Sequence, residues 1–146
     1  MDLFSANAPI EIDVHYVVEK NKAGYPQVIV LEDDVAAKMR ADEKQKDRVK
    51  SIRTMWRPQS WQAANELLIR SQYYNPHTRE QDIDWTKYRD ARLKSCLVDW
   101  DAKTDKGEKV PCVEANINKL HAAVAIALLD KYDATVAVDK DALQKN

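Results

Sequence analysis

Residues 10–18 read IEIDVHYVV, and this alternation constrains the fold more than any other stretch of the chain. Ile10, Ile12, Val14, Tyr16 and Val18 share one side of an extended strand, while Glu11, Asp13, His15 and Val17 share the other. A period of two, rich in β-branched residues, predicts a half-buried strand. EKNKAG comes next, a turn built on Asn21 and Gly24, and YPQVIVL (Tyr25 to Leu31) predicts a second strand. Pro26 has no N–H to give a ladder, which confines it to a strand start or an edge. Residues 10–31 are therefore expected to form a β-hairpin. Two strands alone are marginal in water, so the hairpin must pack on the rest of the chain.

Beyond the hairpin the chain is mainly helical in character. Residues 33–50 are highly charged, with Asp33 and Asp34 placed to suit a helix N-terminus. Val35, Met39 and Val49 are thin apolar content, so the segment predicts an exposed helix or helical linker, or else an arm that docks a partner. Residues 51–57 fit a helix end or a third strand. The alternation of Ile52, Thr54 and Trp56, with Pro58 forcing extended backbone before it, favours the strand. Ser60 can cap a helix to about Tyr74, with Trp61, Ala64, Leu67, Leu68 and Ser71 on one side. Asp84 can cap another, to about Trp100. Its Leu93, Cys96, Leu97 and Trp100 recur at i, i+3, i+4 and i+7, as one buried stripe of a helix would. A last helix is expected from about Val113 to Tyr132, with Ile117, Leu120, His121, Val124, Ala127, Leu128 and Lys131 as its stripe. The tail 133–146 is expected to fray, with TVAV as a candidate short strand. The expectation is one α+β domain over 1–146: an N-terminal hairpin, then a mainly helical part of three to four helices.

Composition narrows the function. The 146 residues carry 23 basic and 24 acidic side chains, a net charge of −1, so neither nucleic acid nor an anionic membrane surface is an expected partner. The N-terminal MDLFSANAPIEIDV lacks the basic start and apolar core of a signal peptide, and no window reaches the ~20 apolar residues of a membrane span. A soluble, intracellular protein with two free thiols, Cys96 and Cys112, is the expectation.

Chemical motifs are scarce. Two glycines, Gly24 and Gly107, exclude Gly-rich nucleotide loops. Asp99, Asp101, Asp105 and Glu108 crowd one loop, but Lys103 and Thr104 stand where a calcium loop begun at Asp99 requires a ligand and a glycine. The loop predicts a solvated turn at Gly107. His15, His77 and His121 are far apart, with His121 on an apolar stripe. Cys96 falls within a buried stripe, as a small hydrophobe. Cys112 comes after Pro111 near a helix start, where a thiolate would be favoured, but no histidine is near it in sequence. No catalytic, cofactor-binding or metal-binding residue is assigned. Trp56, Trp61, Trp85 and Trp100 predict core and hinge packing or an interface anchor. Trp56, Arg57, Trp61, Tyr73 and Tyr74 are the candidate partner-binding residues. Arg48, Lys50, Arg53 and Arg70 add only a mild basic bias beside them.

The order RPQSWQAANELL, YRDARLKSCLVDWD, DKGEKVPC and EANINKLHAAVAIALLDKY resembles bacteriophage tail assembly chaperones and related small tail proteins. The resemblance spans about residues 50–132; the charged segment 38–50 lies outside it. It implies a non-enzymatic protein that binds tail components, such as the tape measure or tube protein, in the host cytoplasm. Self-association is compatible with that role. The alternatives are a virion protein of the tail, neck or head completion, and a small enzyme using Cys112 or the 99–108 loop. The resemblance identifies no contact residues.

Overall fold

The structure, a computed structural model, describes residues 8–137. It is mixed α+β. The strands are β1 (Ile10–Lys20), β2 (Pro26–Leu31), β3 (Lys50–Trp56), β4 (Gln72–Asn75), β5 (Glu80–Ile83) and β6 (Leu97–Trp100). The helices are α1 (Asp33–Ala41), α2 (Trp61–Arg70), α3 (Trp85–Cys96), α4 (Glu114–Ile117) and α5 (Ala122–Val136). Two compact units emerge, each discontinuous in sequence. Among the described residues, one comprises 8–11 and 54–118, the other 12–53 and 119–137.

In the 12–53 and 119–137 unit, β1 and β2 form the expected antiparallel hairpin, from His15↔Leu31 to Lys20↔Pro26. Asn21 Oδ1 accepts from the Ala23 and Tyr25 amides, and Gly24 takes φ +86°, so the turn closes where its residues predict. β1 lies between β2 and β3, so one edge of the hairpin is already paired. The expected alternation breaks near the middle of β1: Ile12, Val14 and Val17 are buried, whereas Val18 is 45% exposed. The charged segment is helical only over α1, with a 3₁₀ turn after it at Lys46–Arg48. Ala36, Ile52, Val124, Leu128, Leu129 and Tyr132 are the other apolar residues this unit buries.

The last helix is not continuous from 113. Four-residue α4 ends at Asn118, and α5 starts afresh after His121, whose Nδ1 accepts the Ala123 amide at 3.2 Å. His121 is thus an exposed cap rather than part of an apolar stripe. α5 continues to Val136, so Thr135 and Val136 are helical. Residues 138–146, and with them the end of the TVAV candidate, lie outside the described residues.

In the 8–11 and 54–118 unit, α2 begins at its expected cap, Ser60 Oγ accepting from Ala63 N at 3.2 Å. It stops at Arg70 rather than near Tyr74. The Ser71 hydroxyl turns back to the Leu67 carbonyl at 2.7 Å, which competes with continuation of the helix. A hairpin of β4 and β5 comes next, unpredicted because its residues, half-buried Ile83 apart, are polar or exposed and carry no apolar alternation. Arg79 closes its turn at φ +59°, donating its amide to the Asn75 carbonyl at 2.8 Å. The Asp84 amide donates to the Ser71 carbonyl at 2.8 Å, pinning the hairpin base between the end of α2 and the start of α3.

The expected helix to Trp100 ends at Cys96 instead. Leu97–Trp100 pair as β6 with the second half of β3: Thr54↔Trp100, Met55↔Asp99 and Trp56↔Leu97. Val98 is the extra residue of a bulge, and Arg57 N extends the ladder to the Cys96 carbonyl at 2.8 Å. One added residue puts Leu97 and Trp100, three apart, on the same buried side, with Val98 and Asp99 exposed. A bulged strand has imitated the i, i+3 spacing of a helix. The burial of Cys96, Leu97 and Trp100 agrees with the spacing, but only Cys96, the last residue of α3, is buried by a helix; Leu97 and Trp100 are buried by a strand.

Candidate functional site

The five candidate partner-binding residues all belong to the 54–118 stretch, but the structure separates them. Trp56 is 0% exposed, and its indole Nε1 donates to the equally buried Thr54 hydroxyl at 2.7 Å. It is interior, so it offers no surface to a partner, and the assignment of Trp56 to a contact patch is corrected. Trp61, in contrast, is 82% exposed at the first position of α2. Arg57 is exposed and, with Pro58, Glu66 and Arg70, walls a small cavity of about 160 Å³.

Tyr73 and Tyr74 lie on β4 and are 46% and 57% exposed. The Tyr73 hydroxyl reaches the Asp82 carboxylate across the hairpin at 3.5 Å. Trp85, read from the sequence as core packing or an interface anchor but outside the five candidates, is 63% exposed at the start of α3. It stacks edge-on against Tyr88 at 5.6 Å between centroids, and the Arg92 guanidinium lies 5.8 Å from the Tyr88 ring. This held geometry lowers the entropy a partner would have to remove. The Asp84–Ser71 bond brings the chain entering β4 to the chain entering α3, while Tyr73 and Tyr74, adjacent on β4, face opposite sides of the hairpin. Trp61 stands nine residues before Arg70, about 13 Å along the helix from that end.

A second constellation, unseen in the sequence, lies in the other unit. Lys131 Nζ on α5 donates to the Asp13 backbone carbonyl at 2.5 Å and to Asp33 Oδ1 at 2.6 Å. The same Asp33 oxygen stands 3.6 Å from His15 Nε2, and His15 Nδ1 is 2.6 Å from Ser51 Oγ. Arg40 donates to that serine oxygen. Ser51, filled as an acceptor by Arg40, has its own proton to give to Nδ1, which leaves the histidine proton on Nε2 facing Asp33. Burial, then the Arg40 charge, holds the His15 pKa below its ordinary value, with Asp33 opposing them. The hydrogen bond from Lys131 holds the Asp33 carboxyl below its ordinary range.

Serine, histidine and aspartate in line have the order that nucleophilic catalysis uses. The details speak for a brace instead. The His15–Asp33 distance is longer than an orienting hydrogen bond, and the guanidinium already occupies the serine oxygen. The neighbouring cleft of about 450 Å³ has Val14, Val30, Asp33 and Lys131 in its walls, but neither Ser51 nor His15. The cluster ties together β1, β3, α1 and α5. Its members come from residues 13 to 131, so no local motif announces it.

The 99–108 loop forms a tight turn. Lys103 and Lys109 bridge across it, and Gly107 has φ +80°. Trp100 Nε1 donates to the Val110 carbonyl at 2.6 Å, and Lys109 Nζ lies 3.9 Å from Asp99. Among the described residues, no three His, Cys, Asp or Glu side chains gather as a metal ion would need. Cys112 does not have the thiolate character its place near a helix start suggests. Burial, and then the Asp99 charge, pushes its thiol pKa up, and α4 is only four residues long.

Among the described residues, no helix is long and apolar enough to cross a membrane. No protein-family model matches the chain, and no curated protein and no solved structure matches it either.

Proposed function

We propose that this chain is a non-enzymatic binding protein of bacteriophage tail assembly. It would act in the host cytoplasm by covering apolar surface on a tail component such as the tape measure or tube protein. The observation that carries the binding role is the display of Trp61, Tyr73, Tyr74 and Trp85, each 46% exposed or more, on ordered helices and a hairpin. Aromatic side chains held this way present large contact area at low entropic cost and are enriched where binding energy concentrates. The resemblance over residues 50–132 supplies the partner class. Arg57, Trp61, Tyr73 and Tyr74 are the contact residues, and Trp85 joins them. Mechanistically the chain would mask a partner's apolar surface until assembly removes it.

The test is capture of purified tape-measure and tube proteins by the full chain and by variants that keep its circular dichroism. Trp61→Ala, and Tyr73→Ala with Tyr74→Ala, should each weaken capture at least tenfold, as loss of a hot-spot residue does. Unchanged capture by both variants would overturn the patch. Mass spectrometry of purified particles separates a chaperone, which should be absent from them, from a virion component, which should be present in fixed copy number.

A further inference from the structure

β2 ends its side of the sheet: β1 pairs with it on one side, and no described residue pairs with it on the other. Its six residues, PQVIVL, carry no charge, and Ile29 is 37% exposed. Edge strands are normally guarded by a charge, a bulge or a covering loop. Here Pro26, at the first position, is the sole such device within the strand. The charges instead sit at the ends, with opposite signs. Lys20 ends β1 and Lys22 lies in the turn before β2, while Glu32 and Asp34 come after it. Among the described residues none of these four forms an ion pair, whereas Asp33 beside them is held by Lys131.

We propose that this edge is a self-pairing surface, on which β2 of a second copy lies antiparallel about a two-fold axis at Ile29. Three features select a second copy as occupant. An antiparallel two-fold pairing is closed and uses one surface twice. Centred at Ile29, it sets Ile29 against Ile29 and Val28 against Val30 of the second copy, so the apolar run covers itself. It also carries the Lys22 turn of each copy to the Glu32–Asp34 end of the other, where charges without an ion pair among the described residues meet their opposites. A parallel pairing would bring like charges together at both ends. Six residues a side make a small interface, so the dimer is weak and concentration-dependent. This inference goes beyond the proposed chaperone role and uses residues of the other unit.

Sedimentation velocity on the full chain, over about two decades of concentration around the micromolar range, tests it. The expected result is a monomer–dimer equilibrium that weakens as salt rises. Ile29→Lys, which places a charge on the edge, should leave a folded monomer. Lys22→Glu should weaken the dimer roughly three- to tenfold through two symmetric like-charge contacts. Adding Glu32→Lys and Asp34→Lys to Lys22→Glu should restore it, and this rescue separates pairing from damage to the fold. A monomer at every concentration overturns the proposal. So does a dimer indifferent to Ile29→Lys, or a charge swap that restores nothing. A chain that stays monomeric, yet loses capture of a tail protein on Ile29→Lys, assigns the edge to that partner and also overturns self-pairing.

Discussion

Replacing Lys131 by methionine isolates what the ammonium group contributes, because methionine retains an apolar stem in place of the lysine methylenes. Two bonds are lost. Lys131 and Asp33 are 36% and 63% exposed, so water screens their attraction and the pair is worth about 0.5–1 kcal/mol. The 2.5 Å bond to the Asp13 carbonyl is partly buried and worth about 1 kcal/mol. Lys131→Met should therefore cost about 1.5–2 kcal/mol, and Asp33→Asn about 0.5 kcal/mol, with a coupling of about 0.5 kcal/mol in the double-mutant cycle. Urea unfolding tracked by far-ultraviolet circular dichroism measures this. Tryptophan fluorescence gives a separate reading, since all four tryptophans belong to the other unit. The Asp33 pKa is depressed from its ordinary 3.8, so its contribution is full above that pH and is lost as pH falls through the lower, folded value. The deficit of Lys131→Met should shrink in that acid window. A deficit below about 0.5 kcal/mol at neutral pH, or one unchanged in the Asp33→Asn background, would refute the brace.

His15 titrates with the same sign. Its folded pKa lies below the ordinary 6.5, so stability is full above that pH and falls as the unfolded chain takes up the proton below it. Unfolding titrations of His15→Gln should therefore show a flatter pH dependence than wild type from about pH 7 to pH 5. Gly107→Ala should cost about 1 kcal/mol by thermal unfolding. Its φ is +80° and no atom lies within 4 Å of an added Cβ, so the whole cost is backbone strain. Iodoacetamide should alkylate Cys112 more slowly than a free cysteine at neutral pH, and Asp99→Asn should speed the reaction. Cys96, 1% exposed, should react only once its unit unfolds.

The parts of the fold legible in the sequence are those written locally. The hairpin shows through β-branched alternation around Asn21 and Gly24. Ser60 and Asp84 mark two helix starts, and Pro58 tips β3 toward a strand. The polar β4–β5 hairpin is invisible because neither face is buried, so no pattern records it. β6 reads as helix because its bulge turns a period of two into a spacing of three. Burial of Trp56 comes from the alternation that makes β3 a strand: Ile52, Thr54 and Trp56 all turn inward. Exposure of Trp61 has the opposite cause, since a first-turn residue beside a cap need not face the core. The Lys131 brace joins residues 118 apart, beyond any local pattern.

The bulge at Val98 gives β6 a tolerance in length. Along the ladder Trp100, Asp99 and Leu97 already alternate in, out and in, and Val98 is the residue that interrupts them. Deleting Val98 would leave a regular strand with both apolar side chains still facing inward. Deleting Asp99 instead would remove a residue that has its own partner, Met55. Chains descended from this one can thus shorten by a residue here without reversing a face, and Val98 is the place where such a gap belongs.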